Sequence, residues 1–254
     1  MDQGKLFSVS DRDRIRYHVL QLAESDTRIV AGAVVGSLAL GDGDRWSDLD
    51  LTFAVAEEFS IFDVLEDWTR DLVEEFDAAQ LFDLPSGASI YRVFLMPGCL
   101  QFDLSFTPAS KFGATGPKFK LLFGNSVVKP FPSSPSAQEL FGYAVHHALR
   151  ARFCIERGRY WQAEYWISGA RDYALSLACH HHGLLTSNGR GFDQLPADVR
   201  DVFKNALLTS LEHDELLRAL SCVINGLLGE VDEVQELAAK VESQLRMLTV
   251  AWDG

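Results

Sequence analysis

The period of the hydrophobic pattern changes once along this chain, and that change restricts its architecture more than any other feature. Leu100-Gln101-Phe102-Asp103-Leu104-Ser105-Phe106 alternates cleanly, so four apolar side chains share one face and Asp103 lies outward between Gln101 and Ser105. From Ser136 onward the spacing is helical, with no convincing strand. A chain that is strand-rich and then wholly helical is expected to be α+β. Residues 1–135 would form a mixed β-sheet with helices, and residues 136–254 an all-α helical bundle.

Within the first half, Ser10 with Asp13 predicts a capping box opening a helix to about Ser25. Strands are expected over Arg28 to Val35, Asp48 to Val55, Ala79 to Leu84, Ile90 to Met96 and Leu100 to Phe106, with a helix from Ser60 to Phe76. Thr107 to Pro135 is rich in proline and glycine and reads as a crossing between domains, in which Lys111, Lys118 and Lys120 could meet a triphosphate or simply be solvated. In the second half, helices are expected at about Ala137 to Arg157, Tyr160 to His182, Ala197 to Glu212, Asp214 to Leu228 and Val231 to Thr249. Gly158, Gly183 and Gly229 would stop helices, and Pro196 would start one. Packing the bundle against the sheet would create a cleft for two substrates.

The chemistry concentrates in Val35-Gly36-Ser37-Leu38-Ala39-Leu40-Gly41 and, after an acidic loop, Ser47-Asp48-Leu49-Asp50-Leu51. On a strand, Asp48 and Asp50 point one way while Leu49 and Leu51 enter the core. Two carboxylates about 4 Å apart repel by roughly 4 kcal/mol at an effective dielectric near 20, a cost that a cation between them removes. Oxygen donors favour magnesium, and Asp103 from a neighbouring strand would complete a set able to hold two ions. Gly36 would let the backbone approach a phosphate, and Ser37 could cap a short helix whose amides favour an anion.

Gly36-Ser37, ten intervening residues, Asp48-Leu49-Asp50 and a later strand aspartate resemble the signature of the nucleotidyltransferase superfamily typified by DNA polymerase beta. Length and the helical second half are most similar to the antibiotic nucleotidyltransferases that act on aminoglycosides or lincosamides. The resemblance implies that Asp48 and Asp50 ligate the magnesium ions carrying a nucleoside triphosphate, with ATP the expected donor. It further implies that Asp103 holds the metal activating the attacking hydroxyl, and that Gly36, Ser37 and Ser47 bind phosphates. A glutamate of the helical domain would serve as general base, and Glu164 is chosen for that role. The alternative for Glu164 is a surface ion pair with Arg171 or Arg157. An enzyme that AMPylates a protein and a non-catalytic nucleotide-binding module are the other readings kept open.

The net charge of -13, without a basic run or stripe, disfavours a nucleic-acid partner and suits a cationic small-molecule acceptor. No run of 18 or more apolar residues occurs, and Met1 to Ser10 lacks the regions of a signal peptide, so a cytoplasmic location away from membranes is expected. Cys99, Cys154, Cys179 and Cys222 lack metal-ligand spacing and read as reduced thiols.

On the helix from Tyr160, residues Trp161, Glu164, Tyr165, Ser168, Arg171 and Asp172 fall on roughly one side. Arg150, Arg152, Arg157, Arg159 and Arg171 are concentrated nearby, and one or two could clamp phosphate oxygens. His180-His181-His182 and the pair His146-His147 are read as helix-end or surface groups, because adjacent helical positions cannot all face one ion.

Overall fold

The computed structural model describes residues 5–250, so the first part of the stretch Met1 to Ser10 lies outside the described residues. The protein is α+β, and the chain divides into two compact units with the boundary between Pro132 and Ser133. Among the described residues no helix is long and apolar enough to cross a membrane.

The first unit is built on one six-stranded mixed sheet. Its strands are β1 (Ile29–Val35), β2 (Leu49–Val55), β3 (Ala79–Ser86), β4 (Ser89–Met96), β5 (Leu100–Pro108) and β6 (Phe119–Phe123), in the order β3-β4-β5-β2-β1-β6. Among the described residues only β2 and β5 run parallel, and they lie side by side at its centre. Period two sorts their residues by face. Leu49, Leu51, Phe53, Phe102, Leu104 and Phe106 pack against helices α1 (Val9–Ser25) and α2 (Ile61–Phe76) in the main core. The other face carries small and polar side chains, with Ala31, Ala33 and Ala54 packed under Phe112.

Three local expectations are corrected here. The capping box of α1 is made by Ser8 and Asp11, which exchange hydrogen bonds two residues earlier than the Ser10 and Asp13 pair. Both pairs have the required spacing, and the helix carries the buried stripe Arg12, Ile15, Val19 and Ala23. Ser37 does not cap a helix but sits inside a 3-10 turn, Gly36–Ala39, that begins directly at the end of β1.

The third correction concerns the expected crossing segment, which contributes β6. This strand pairs antiparallel with β1 and closes that edge of the sheet, with Lys118 C=O accepting the Gly36 N–H at 3.2 Å. The otherwise unpaired edge of β1 draws in a short strand that the six residues between Pro117 and Gly124 barely announce. Phe119 packs beside Phe112, so alternation turns Lys118 and Lys120 to the face opposite the acids.

The second unit contains α3 (Ala137–Glu156), α4 (Tyr160–His181), α5 (Ala197–Lys204), α6 (His213–Gly229) and α7 (Gln235–Met247). Small residues, among them Ala144, Ala148, Ala151, Ala163, Ala170 and Ala174, let α3 and α4 pack closely. Gly158 and Gly183 take positive φ just beyond the ends of these two helices. Gly229 is instead the last residue of α6.

The expected helix to Glu212 ends at Lys204. Arg218 of α6 donates to the carbonyls of Asn205 and Leu207, while Glu215 accepts the Thr209 N–H at 2.9 Å. Those tertiary partners replace the intrahelical bonds that further turns would have made. Likewise α7 starts at Gln235 rather than Val231, after a turn in which the Val234 N–H donates to Val231 C=O.

Candidate active site

Asp48 immediately precedes β2, Asp50 lies on it, and Asp103 lies on β5. In the β2–β5 register Asp50 stands directly opposite Asp103, so both side chains leave the same face of the sheet. Asp48 is two residues before Asp50 and shares that face. One carboxylate oxygen from each of the three lies within 4.8 Å of the other two. Among the described residues this is the one cluster of three or more His, Cys, Asp or Glu side chains so arranged.

The cluster is electrostatically loaded. Burial raises the Asp103 carboxyl above its ordinary range, a hydrogen bond from Gln101 Nε2 at 2.9 Å opposes the rise, and the charge of Asp48 adds to it. Burial likewise raises the phenol of Tyr91 on β4; the Ser105 hydroxyl opposes this and the charge of Asp50 adds to it. Three carboxylates without nitrogen or sulfur donors form a hard set that fits Mg2+ or Mn2+.

Gly36 is required beside the acids. Its φ is +70°, and a Cβ there would collide with Asp50 Oδ2. The neighbouring Ser37 Oγ is buried without a hydrogen-bond partner, an expensive condition unless a ligand atom meets it. Ser47 Oγ is engaged within its own loop, accepting the Asp44 N–H at 2.9 Å and donating to Asp44 Oδ1 at 3.1 Å.

In the helical unit, Glu164, Tyr165, Ser168 and Asp172 of α4 line a cavity of about 720 Å³ together with His147, Tyr173 and the Thr186 to Gly189 loop. Neither expected ion-pair partner meets Glu164, whose Oε1 accepts a hydrogen bond from Ser168 Oγ at 2.8 Å. Arg171 pairs with Asp172 at 3.2 Å. Trp161 is 79% exposed and does not line the cavity. Arg152 is buried and holds the Leu248 carbonyl and Glu156, each at 2.8 Å, so it is structural rather than a phosphate clamp.

His147 was expected at the surface and is half-buried in this cavity instead. Its ring packs against Trp166 and Tyr173, with centroids 4.9 Å from each, and Nδ1 meets the Tyr143 carbonyl at 2.8 Å. Burial lowers its pKa; the Tyr143 contact opposes this and the charge of His146 adds to it. A signal for it was present in Gly169, where a Cβ would stand 2.6 Å from His147 Cδ2. His180 and His181 face Glu233 and Glu230, each at 3.3 Å, near the end of α4.

The site is thus a cluster of three carboxylates on one face of a mixed sheet, a donor set of the kind that suits a hard cation. No protein-family model matches the chain, and no curated protein matches its sequence. Among solved structures, an aminoglycoside 6-adenyltransferase from Bacillus subtilis is similar at 14% identity and a TM-score of 0.41, over 97% of this chain and 100% of that one. A nucleotidyltransferase-like protein from Exiguobacterium sibiricum is similar at 13% identity and a TM-score of 0.38, over 91% and 80%. Both are loose likenesses, and the chemistry is carried by the residues of the site itself.

Proposed function

We propose that the protein is a magnesium-dependent nucleotidyltransferase that moves a nucleoside monophosphate, AMP from ATP, onto a hydroxyl of a small molecule of the aminoglycoside or lincosamide kind. The observation that carries this reading is the convergence of Asp48, Asp50 and Asp103 within 4.8 Å. These acids would hold the metal, which when bound neutralises triphosphate charge and acidifies the attacking hydroxyl. Gly36 admits the triphosphate close to the backbone, and the Ser37 hydroxyl supplies the hydrogen bond that its surroundings leave unmade. The residues act by orientation and charge matching rather than by a covalent intermediate.

The helical cavity supplies the acceptor half of the proposal. Carboxylates at Glu164 and Asp172, beside the rings of Tyr165 and Tyr173, suit a polyhydroxylated cation. Glu164 is proposed to take the proton of the acceptor hydroxyl, with Ser168 fixing its carboxylate. The hydroxyl oxygen then bonds to the α-phosphorus as pyrophosphate leaves.

The test is mass spectrometry of an aminoglycoside and lincosamide panel incubated with each nucleoside triphosphate and Mg2+. One added nucleotide on an acceptor, lost in Asp48→Asn, is the expected result. Label on a protein would redirect the reading to protein AMPylation, and no pyrophosphate release across the panel would leave a non-catalytic nucleotide binder.

A further inference from the structure

The buried stripe of α1 runs Arg12, Ile15, Val19 and Ala23, so an arginine occupies a position that the helical period assigns to the core. It is 4% exposed. A guanidinium so placed is costly unless its donors are met. One nitrogen is met by main-chain carbonyls: Nη1 donates to Asp44 C=O and to Ser47 C=O, each at 2.8 Å, while Nε is buried without a partner. The Ser47 carbonyl belongs to the peptide whose nitrogen is that of Asp48. Arg12 therefore grips the link through which the chain delivers the first of the three acids.

We propose that Arg12 is a positioning residue for the metal centre. From the core side it locks the loop ahead of β2 so that the Asp48 carboxylate arrives in line with Asp50 and Asp103. That loop contains Gly41 and Gly43, and its outer lock is the Asp44–Ser47 exchange together with the Trp46 N–H bond to Asp44 Oδ1 at 2.8 Å. The bonds of the outer lock are exposed, whereas those of the Arg12 clamp are part-buried. Arginine is suited to the task because the two hydrogens of one nitrogen reach two carbonyls in a fixed plane; lysine offers a single mobile point of charge. The proposal rests on the reading that the three acids bind a divalent cation.

The test titrates Mn2+ alone into the full chain and follows free ion by electron paramagnetic resonance, with thermal melts in parallel. Arg12→Met is expected to weaken Mn2+ binding by about 10- to 100-fold, the range for outer-shell partners of metal ligands. Arg12→Lys should restore part of that loss, and Ser47→Ala, which opens the outer lock, should weaken binding less. Ile15→Val, on the same stripe but away from the loop, should lower the melting temperature and leave Mn2+ affinity unchanged.

Wild-type affinity in Arg12→Met overturns the proposal, as does an equal loss in Ile15→Val. Should Arg12→Met not fold, unchanged affinity in both Arg12→Lys and Ser47→Ala overturns it instead. Failure of the metal reading looks different: the wild type does not bind Mn2+, or Asp48→Asn binds it equally well, and no centre then exists to be positioned.

Discussion

Replacing Asp103 with asparagine should stabilise the protein when no divalent cation is present. Oxygens of Asp48 and Asp50 lie within 4.8 Å of an Asp103 oxygen, and at an effective dielectric near 20 each such pair repels by about 3.5 kcal/mol. Partial exposure and salt reduce the combined effect to the order of 1–2 kcal/mol. The amide oxygen can keep the hydrogen bond from Gln101, so little is lost in exchange. At about 2–4 °C per kcal/mol for a chain of this size, the melting temperature in chelator should rise by roughly 2–8 °C.

The gain must depend on pH with a definite sign. The Asp103 carboxyl is raised above the ordinary aspartate value of 3.8 in the folded protein. Below 3.8 both folded and unfolded chains hold the proton and the group costs the fold nothing. As pH climbs, the unfolded chain loses its proton first, so the penalty grows and is complete above the folded value. The advantage of Asp103→Asn should therefore be present at neutral pH and vanish in acid. Mg2+ should raise the melting temperature of the wild type and not of the variant. A variant that melts below the wild type in chelator at neutral pH, or a gain that persists in acid, would refute the electrostatic account.

Gly36→Ala adds a left-handed alanine, costing about 1–2 kcal/mol, and drives a methyl into Asp50 Oδ2. Melts should record the modest loss while turnover collapses, and wild-type turnover would contradict the contact. Ser37→Ala removes a buried hydroxyl without a partner; stability should hold or rise by about 1 kcal/mol as the nucleotide KM increases. An unchanged KM would take Ser37 out of the phosphate site. Glu164→Gln should lower kcat by about 100-fold or more with little change in acceptor KM. An effect on KM alone would make Glu164 a binding group.

Much of the site was legible because strand alternation is a local property. The dipeptide steps Asp48 to Asp50 and Gln101 to Asp103 already assign the acids to the polar face, and Leu49, Leu51, Phe102 and Leu104 to the core, where the structure buries them. The features that were missed depend on partners distant in the chain. β6 exists because β1 offers an open edge, and α5 stops because Arg218 collects the carbonyls that follow it. The surface assignment of His147 followed from sequence neighbours, whereas its rings of contact come from α4, across the α3–α4 packing.

By itself, then, the amino-acid order determined which residues share a face, where most helices begin, and that a polar strand face would carry aspartates. Only the tertiary structure decided that β2 lies parallel to β5 with Asp50 opposite Asp103. A slip of one residue would have turned one acid of that pair toward the core. It also decided that Arg12 is buried and reaches across to the loop of Asp48. Local periodicity sets orientation because it arises from backbone geometry at adjacent residues, while convergence of three carboxylates is set by long-range register and packing.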